Sequence, residues 1–447
     1  MPDGPEPAPA AAVSLRALTD FSDRIPPVLV KELRQGLRGR MFVIPFLVLQ
    51  LLLMFTNTST GAGATASFWH FILITLVFLL PSRSLGALGE ERDANTLDTL
   101  VLTRLTPWRI VWGKWCAAAA QSALVAVAVA PHLLVRYLNG GTSFIEEGFV
   151  LIMFLFVSGG VAGVFTAASV IKSPLLRNAF AAAVMIGVYV WVCGPVIYGM
   201  TRGADGFSMV VVGEVSVLSV WAALFSMWHA AAAIAPAAES VTTARRLTSF
   251  VAVLVFAGIT QLPGGDGVGL SVYGLFVMLA AVSVVEMGEP LSPVPFGGLR
   301  FKHFGGTGRL MGIVLGPGWN RGVFFCVGMW SAASLVAENF DLLRAAPLCF
   351  LPVPARLLFP ARMRMGTAPM ILLAATSQVL LVLLASVDSG QTFLMVIPGF
   401  SGRSLWTADT LWMQTIIWCG LACVLATFSQ LAQARRMKEH AVLRSPA

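Results

Sequence analysis

A polar and amphipathic segment, Glu90 to Lys114, is the part of this sequence whose residues could do the most specific work. It lies between two apolar stretches, 68–88 and 115–134, and a membrane span needs about 20 residues. Its apolar residues recur at the spacing of one helix face: Leu97, Leu100, Val101 and Leu105. Such an insert is where a membrane protein meets a soluble partner, so the chemistry we expect is binding.

Patterns for catalysis or cofactor binding do not occur in the sequence. No G-x-x-x-x-G-K-[ST] run is available to bind nucleotide phosphates, and the glycine-rich stretch 305–309 reads as a flexible loop. The five histidines include no pair at i and i+4, and the six cysteines form no C-x-x-C. We therefore expect no catalytic residue, no metal and no cofactor in this chain, and we do not expect the chain itself to be an enzyme.

The composition is that of a membrane protein, because 57% of the residues are hydrophobic, 12% are charged and the mean hydropathy is +0.80. It predicts an all-α fold, a polytopic transmembrane helical bundle of about 12 spans, with a range of about 10 to 12. The predicted spans are 41–55, 68–88, 115–134, 148–171, 178–200, 215–236, 247–262, 268–285, 323–337, 345–360, 368–387 and 411–430. The segments 323–337 and 345–360 could instead form a re-entrant pair, because the second is rich in proline. No room is left for a large soluble domain.

The lysines and arginines define an orientation, since these residues collect in cytoplasmic loops. With these spans only four of the 30 lie on one side: Arg136, Arg202, Arg344 and Arg403. The others lie on the side that holds both termini and the insert, which are therefore predicted to be cytoplasmic. The net charge of +8 follows from this topology. Anionic lipid headgroups are the expected neighbours of the basic residues, and no nucleic acid is implied.

The N-terminal region divides into a tail and a helix. Residues 1–25 have no apolar core of a signal peptide and are expected to form a disordered cytoplasmic tail. Residues 26–40 are predicted to form a basic amphipathic helix in the membrane interface, which begins at two prolines. Apolar residues recur along it at helical spacing with charged residues between them: Leu29, Val30, Lys31, Glu32, Leu33, Arg34, Leu37 and Arg38. A positively charged flank of the first span with chance periodicity is the alternative.

Three signatures, in this order along the chain, resemble permease subunits of type-2 ABC transporters, which are largely exporters. They are P-V-L-V-K-E-L-R-Q at 27–35, E-R-x-x-x-T-L-x-x-L at 91–100 and P-W-R-I-V-W-G-K at 107–114. The resemblance covers residues 26 to about 236, and no motif beyond Thr248 matches. One position departs from the pattern, because Asn95 stands where family members commonly carry glycine. Asparagine also tolerates left-handed backbone angles, so a turn there is retained.

The resemblance implies a role for each residue of the insert, which in this family forms a coupling helix that docks in a groove of a cytoplasmic ATPase. Leu97, Leu100, Val101 and Leu105 would fill that groove, and Asp98, Arg104 and Arg109 would fix the orientation. Thr103 or Thr106 would cap the turn before Pro107. Gly113 would let the third span start close to a neighbour, and Lys114 would anchor its cytoplasmic end. Glu91 and Thr96 complete the signature.

The function implied is that of a permease subunit in the inner (plasma) membrane, multi-pass, that couples ATP hydrolysis by a separate subunit to export. Residues 26–240 would form the six-span permease-like core, and 241–447 an additional membrane-spanning region of unknown role. The implied partners are the ABC ATPase, which would hold ATP and Mg, a second copy or a related permease, and membrane lipids. The alternative is an ATP-independent secondary transporter or a membrane scaffold. The sequence does not identify a substrate.

Two further features concern packing within the membrane. Glu214 and Glu286 fall at predicted span ends and are expected to be interfacial, and the first six spans carry no charge at their middle. Gly159 and Gly163 have the G-x-x-x-G spacing that allows close helix approach. This predicts close packing either within the chain, which we favour, or between two permeases.

Overall fold

The computed structural model of this chain describes residues 27–58, 61–89, 106–140, 143–202, 209–235, 241–261, 270–289, 305, 311–312, 314–337, 353 and 419–431. The regular structure within these ranges is helical and contains no strand, which confirms the all-α class. The predicted spans 345–360 and 368–387 lie outside these ranges, apart from residue 353.

The helices follow one another in this order. The first half contains α1 (Pro27–Arg38), α2 (Arg40–Asn57), α3 (Ala62–Leu73), α4 (Pro107–Leu138), α5 (Phe144–Ala168), α6 (Pro174–Val188), α7 (Gly194–Arg202) and α8 (Met209–Ile234). A π-helical turn, Ile74–Leu79, continues α3 through Leu80–Ser82 to Arg83–Leu85, and a second, Tyr189–Cys193, joins α6 to α7. The second half contains α9 (Thr242–Ile259), α10 (Leu270–Gly288), α11 (Trp319–Val336) and α12 (Cys419–Leu431).

Six of the helices are long and apolar enough to cross a membrane: Arg40–Asn57, Ala62–Leu85, Pro107–Leu138, Phe144–Ala168, Val210–Ile234 and Thr242–Ile259. Each coincides with a predicted span. The predicted span 178–200 coincides with α6, the second π-helical turn and α7, and the spans 268–285 and 323–337 coincide with α10 and α11. Of the span 411–430, the described residues from 419 onward are helical.

The third long apolar helix begins earlier than the sequence pattern predicts. α4 starts at Pro107, whereas the predicted span starts at residue 115. Proline is suited to the first turn of a helix because its missing N–H has no partner there, so the polar residues 107–114 extend the helix instead of forming a loop. Thr106 occupies the N-cap position, but its side chain makes no capping hydrogen bond, so the capping role predicted for it is wrong. Thr103 lies outside the described residues.

Helix α8 joins the hydrophobic clusters of the two halves. Val212 and Val215, near its start, belong to a cluster formed with α2 to α7. Trp221 and Phe225 belong to a second cluster formed with α9 to α12. Met227, near its end, belongs to a third cluster that includes residues beside the insert. Both halves of the described chain therefore pack against one helix.

Glycines allow α5 and α8 to approach closely. A Cβ atom added to Gly163 would lie 2.8 Å from the Ala223 Cα, and one added to Gly160 would lie 2.9 Å from the Ser219 carbonyl oxygen. Gly159 instead faces the Trp115 ring. The prediction of close packing within the chain is confirmed, and its closest contacts run through Gly160 and Gly163.

Buried hydroxyl groups satisfy the irregular backbone of α3. Ser158 Oγ donates to the Leu76 carbonyl oxygen at 2.6 Å, within the π-helical turn, and lies 2.8 Å from Ser122 Oγ. A π turn shifts the hydrogen-bond pattern of the helix, and a buried carbonyl needs a partner. Serines of α4 and α5 thus hold the turn in place.

Replacement of Gly163 by alanine is expected to destabilise the fold, because the new methyl group meets backbone atoms that cannot rotate away. Overpacking of this kind costs about 1–3 kcal/mol. The matched control is G148A in the same helix, where an added Cβ meets nothing within 4 Å. That change should be neutral or stabilise by up to about 1 kcal/mol. Thermal unfolding of the two variants in one detergent checks the prediction, and equal melting temperatures would contradict it.

Candidate functional site

The predicted ATPase-coupling residues divide into two groups. Outside the described part of the chain lie Glu91, Thr96, Leu97, Asp98, Leu100, Val101, Arg104 and Leu105. The others belong to the first turns of α4, where Arg109 is exposed and the rest are buried: Pro107, Gly113 and Lys114. The residues predicted for the interfacial helix all lie in α1: Leu29, Lys31, Glu32, Leu33, Arg34, Leu37 and Arg38. The structure brings α1 and the start of α4 together.

The two ends of the insert lie on one buried cluster. Leu88, on the entry side, and Val111, on the exit side, share a cluster with Met227 and Ala230 of α8. The Leu88 N–H also donates a hydrogen bond of 3.3 Å to Ser169 Oγ, just beyond α5. Both ends of the insert are therefore attached to helices that cross the bundle.

Tryptophan rings fix the start of α4 against its neighbours. Trp108 stacks on Trp228 of α8 with ring centroids 3.9 Å apart. One turn further along α4, Trp112 lies 5.7 Å from Trp108 and remains 37% exposed. Trp115 Nε1 donates to the Gly159 carbonyl oxygen at 2.8 Å. Stacked aromatic pairs add stability beyond the area they bury, so this end of α4 is held on both α5 and α8.

A partly buried ion pair attaches α1 to α4. Lys114 Nζ lies 3.0 Å from Glu32 Oε1, and the two side chains are 6% and 27% exposed. An ammonium group removed from water is costly unless it is paired. The prediction that Lys114 anchors the end of the span is therefore refined, because its ammonium group binds a specific carboxylate of α1. The two residues belong to separate signatures of the sequence.

A second polar contact lies beside this ion pair and involves residues that the sequence analysis did not assign to the site. Arg83, after the π turn of α3, donates to the Gln121 Oε1 at 2.8 Å and to the Gly36 carbonyl oxygen at 3.2 Å. An added Cβ on Gly36 would come within 2.1 Å of Gln121 Nε2 and displace that side chain. Two features of the sequence could have indicated this contact: Gly36 lies within a predicted helix, and Gln121 is a polar residue within an apolar span.

Helix α1 has one face on the protein and one face outside it. Glu32 and Gly36 define the inner face, with Leu33 partly buried beside them. Lys31 and Arg38 are exposed on the outer face. The predicted helix is confirmed, and its contact with the rest of the molecule is a polar junction with α3 and α4.

A buried network of two arginines and two glutamates occupies the second half. Arg245 Nε and Arg246 Nε, in α9, donate to the two oxygens of Glu286 in α10, at 2.8 and 2.6 Å. Arg245 also donates to Glu289 at 2.7 Å. The side chains of Arg245, Arg246 and Glu286 are each at most 2% exposed. The sequence analysis placed both arginines in a loop before the span 247–262 and did not predict these partners. Glu214 is also buried, at 2% exposure.

These contacts were missed because the position of Arg245 and Arg246 in the sequence and their charge do not indicate a partner that lies far along the chain. α9 begins at Thr242, five residues earlier than the predicted span, so both arginines lie within a helix. The loop before α11 wraps around Arg246, which donates to the carbonyl oxygens of Val314, Gly316 and Gly318. A guanidinium has five N–H donors, and the hydrogen bonds to Glu286 and to these three carbonyl oxygens use four of them.

Glu289 closes this network outside the apolar part of α10. It accepts hydrogen bonds from the Gly318 N–H at 3.0 Å and from Thr242 Oγ1 at 2.8 Å. Burial by itself raises the pKa of the Glu289 carboxyl, but the neighbouring Arg245 and Arg246 outweigh that effect and hold the pKa below its ordinary value. The carboxylate therefore joins the ends of α9, α10 and α11 in its charged form.

The far end of α4 holds a third buried ion pair. Arg136 Nη2 lies 2.9 Å from Glu147 Oε1 of α5 and 3.0 Å from Thr65 Oγ1 of α3. Its guanidinium also lies 4.4 Å from the centre of the Phe68 ring. Opposite ends of α4 are thus tied to different helices by charge, Lys114 at one end and Arg136 at the other.

The arrangement is suited to binding and to transmission of movement. Within the described ranges, no group of three His, Cys, Asp or Glu side chains is placed to hold a metal ion. What the geometry does provide is an insert with both ends fixed, next to a long helix that carries charge contacts at each end.

Comparison with known proteins gives no relative: no protein-family model, no curated protein and no solved structure matches this chain.

Separation of α1 from α4 is expected when the Lys114 ammonium group is removed. We expect K114M to lower the free energy of unfolding by roughly 1–3 kcal/mol, because Glu32 then loses its partner. In a double-mutant cycle with E32Q, the coupling energy should reach about 0.5–3 kcal/mol. The control K31Q, on the exposed face of α1, should change stability by less than about 0.5 kcal/mol. Additive effects of K114M and E32Q in chemical unfolding would contradict the ion pair.

The stability of the fold is expected to depend on pH through Glu289. Because its pKa is depressed in the folded protein, its contribution is present above the ordinary pKa of 4.5 and is lost as the pH falls through the lower folded-state pKa. E289Q should lose roughly 1.5–3 kcal/mol at pH 7, and its melting temperature should change less than that of the wild type when the pH is lowered from about 5 to about 2. Parallel melting curves for the two proteins over this range would refute the assignment.

Proposed function

We propose that this chain is the permease subunit of an ATP-binding-cassette exporter of type 2, multi-pass in the inner (plasma) membrane. The observation that carries the proposal is the ion pair between Glu32 and Lys114. These residues belong to two of the three signatures that resemble the family, and they lie 82 residues apart in sequence. Contact between them makes the interfacial helix and the insert-bearing helix one unit, as coupling to a partner requires.

The membrane placement is supported by the six long apolar helices. The proposed orientation puts both termini and the insert in the cytoplasm. The positions of the described cations support this orientation. The cations near the end of α8 are Lys114, Arg245 and Arg246, whereas Arg136 lies at the other end of α4. A helix of that length spans about 48 Å, enough to separate the two sides of a bilayer.

The proposed mechanism is mechanical. A cytoplasmic ATPase subunit binds ATP and Mg, and its closure displaces residues 90–105. Because Leu88 is bonded to Ser169 and Trp108 is stacked on Trp228, this displacement acts on α5 and α8 at once. α1 moves with α4 through Glu32. A second permease copy or a related permease completes the transport path, and residues 241–447 form an additional membrane-spanning region packed on α8.

The alternative is an ATP-independent secondary transporter or a membrane scaffold. The buried network of Arg245, Arg246 and Glu286 favours it, because ionisable residues within membrane helices often carry ions or protons. Each charge in that network is paired with an opposite charge, however, and Arg246 also binds three backbone carbonyls. Such saturated pairing suits a fixed structural role better than a relay.

ATP hydrolysis by an ABC ATPase subunit co-expressed with this chain is expected to depend on the insert of this chain. We expect L97D/L100D to lower the ATPase rate of the complex in nanodiscs by at least roughly tenfold, since truncating a docked apolar anchor removes about 2 kcal/mol or more of binding. Rates are compared at matched protein yield.

The matched control is L15D/L18D, which makes the same chemical change in the N-terminal tail and should leave the rate unchanged. An ATPase rate that is indifferent both to the presence of this chain and to L97D/L100D would refute the proposal and favour the ATP-independent alternative.

A further inference from the structure

The outer face of α1 carries a stripe of basic residues. Lys31, Arg34 and Arg38 recur at i, i+3 and i+7, so they share one side of the helix, and Arg40 follows at the start of α2. All four are exposed. These residues, Lys31, Arg34, Arg38 and Arg40, are called the basic stripe below. The opposite side of α1 is held on the protein by Glu32 and Gly36, so α1 cannot turn its basic face inward.

Basic residues outnumber acidic residues in this segment. Residues 27–40 contain four basic side chains and one acidic side chain, Glu32, which pairs with Lys114 of α4. An arginine fork matches the geometry of a phosphate and binds it through two parallel hydrogen bonds. The chemistry that complements the stripe is therefore a surface of phosphate groups.

The position of the stripe follows from the helix next to it. α2 exposes large apolar side chains along one face, at the alternating spacing of three and four residues: Met41, Ile44, Val48, Leu51 and Phe55. In a membrane this face contacts acyl chains. Arg38 and Arg40 lie within three residues of Met41, so they lie at the depth where headgroups begin.

We infer that the basic stripe is a binding site for anionic phospholipid headgroups. Each cation near an anionic membrane surface strengthens binding by roughly five-fold, and the attraction is local. The site is specific in position, because α1 presents its cations outward while its inner face is fixed to α3 and α4. An acidic surface of a protein partner is less well matched, since two of the four cations adjoin the apolar face of α2.

Lipid binding at the stripe holds α1 from the outside while Glu32 holds it from the inside. Anionic lipid thereby sets the position of the helix that is joined to the start of α4. An influence of this lipid on ATPase coupling rests on the proposed function, whereas the binding of lipid to the stripe does not. An experiment can therefore disprove the lipid site without disproving the proposed function, and the reverse.

The test is a lipid titration of the purified full chain in detergent. Dioctanoyl phosphatidylglycerol and dioctanoyl phosphatidylcholine are added in turn, and bound lipids are counted by native mass spectrometry. For the wild type we expect a clear preference for phosphatidylglycerol. R38Q should weaken that binding by about five-fold, and K31Q/R38Q/R40Q by on the order of 100-fold, with binding of phosphatidylcholine unchanged.

The control K172Q/R435Q/R436Q removes the same amount of charge elsewhere on the predicted cytoplasmic side and should keep the wild-type preference. Equal binding by the stripe variant and the wild type overturns the site. Equal losses in the stripe variant and the control also overturn it, because general membrane charge would then explain the preference. Unchanged lipid binding with lost capture of the ATPase subunit would assign the stripe to a protein partner instead. R38Q alone keeps the test valid if the triple variant fails to fold.

Discussion

The need to pair buried charge governs the described structure. In a chain with so few charged residues, a cation that leaves water must find an anion on another helix, because the penalty for an isolated charge exceeds any packing gain around it. Among the described residues such pairings include Lys114 with Glu32, Arg136 with Glu147, and the two arginines of α9 with Glu286 and Glu289. Each pairing joins different helices. Apolar packing is not directional and would allow these helices to slide along one another, whereas an ion pair fixes their relative position.

The candidate coupling site depends on this pairing in a specific way. Apolar contacts place both ends of the insert on α8, and the stacked rings of Trp108 and Trp228 hold the exit point. The ion pair of Lys114 with Glu32 and the hydrogen bond from Arg83 to the Gly36 carbonyl oxygen bring α1 into the same assembly. Together they fix the rotation of α1 about its own axis, and this determines which residues of α1 face outward.

Much of the fold could be predicted from the sequence, and the part that could not has a common cause. Long apolar runs predicted the membrane helices, and the prolines and alternating residues after residue 25 predicted α1. The start of α4 was missed because Arg109 and Lys114 lower the local hydropathy, although both tolerate a helical backbone. The burial of Arg245 and Arg246 was missed because their partners lie about 40 residues away and a charge count assigns sides, not contacts. Arg83 and Gln121 were missed for the same reason: a hydrogen bond between distant segments leaves no periodic trace.

The shared position of α8 has a consequence for how the molecule is built. A protein chain is synthesised from its N-terminus, and its helices emerge in that order. α2 to α7 cannot complete their cluster until Val212 and Val215 arrive, and α9 to α12 find Trp221 and Phe225 already in place when they emerge. α8 therefore completes the hydrophobic cluster of the first half and provides the surface on which the second half packs. The order of synthesis therefore matches the order of packing, because α8 is available when the first half completes its cluster and before the second half begins to pack.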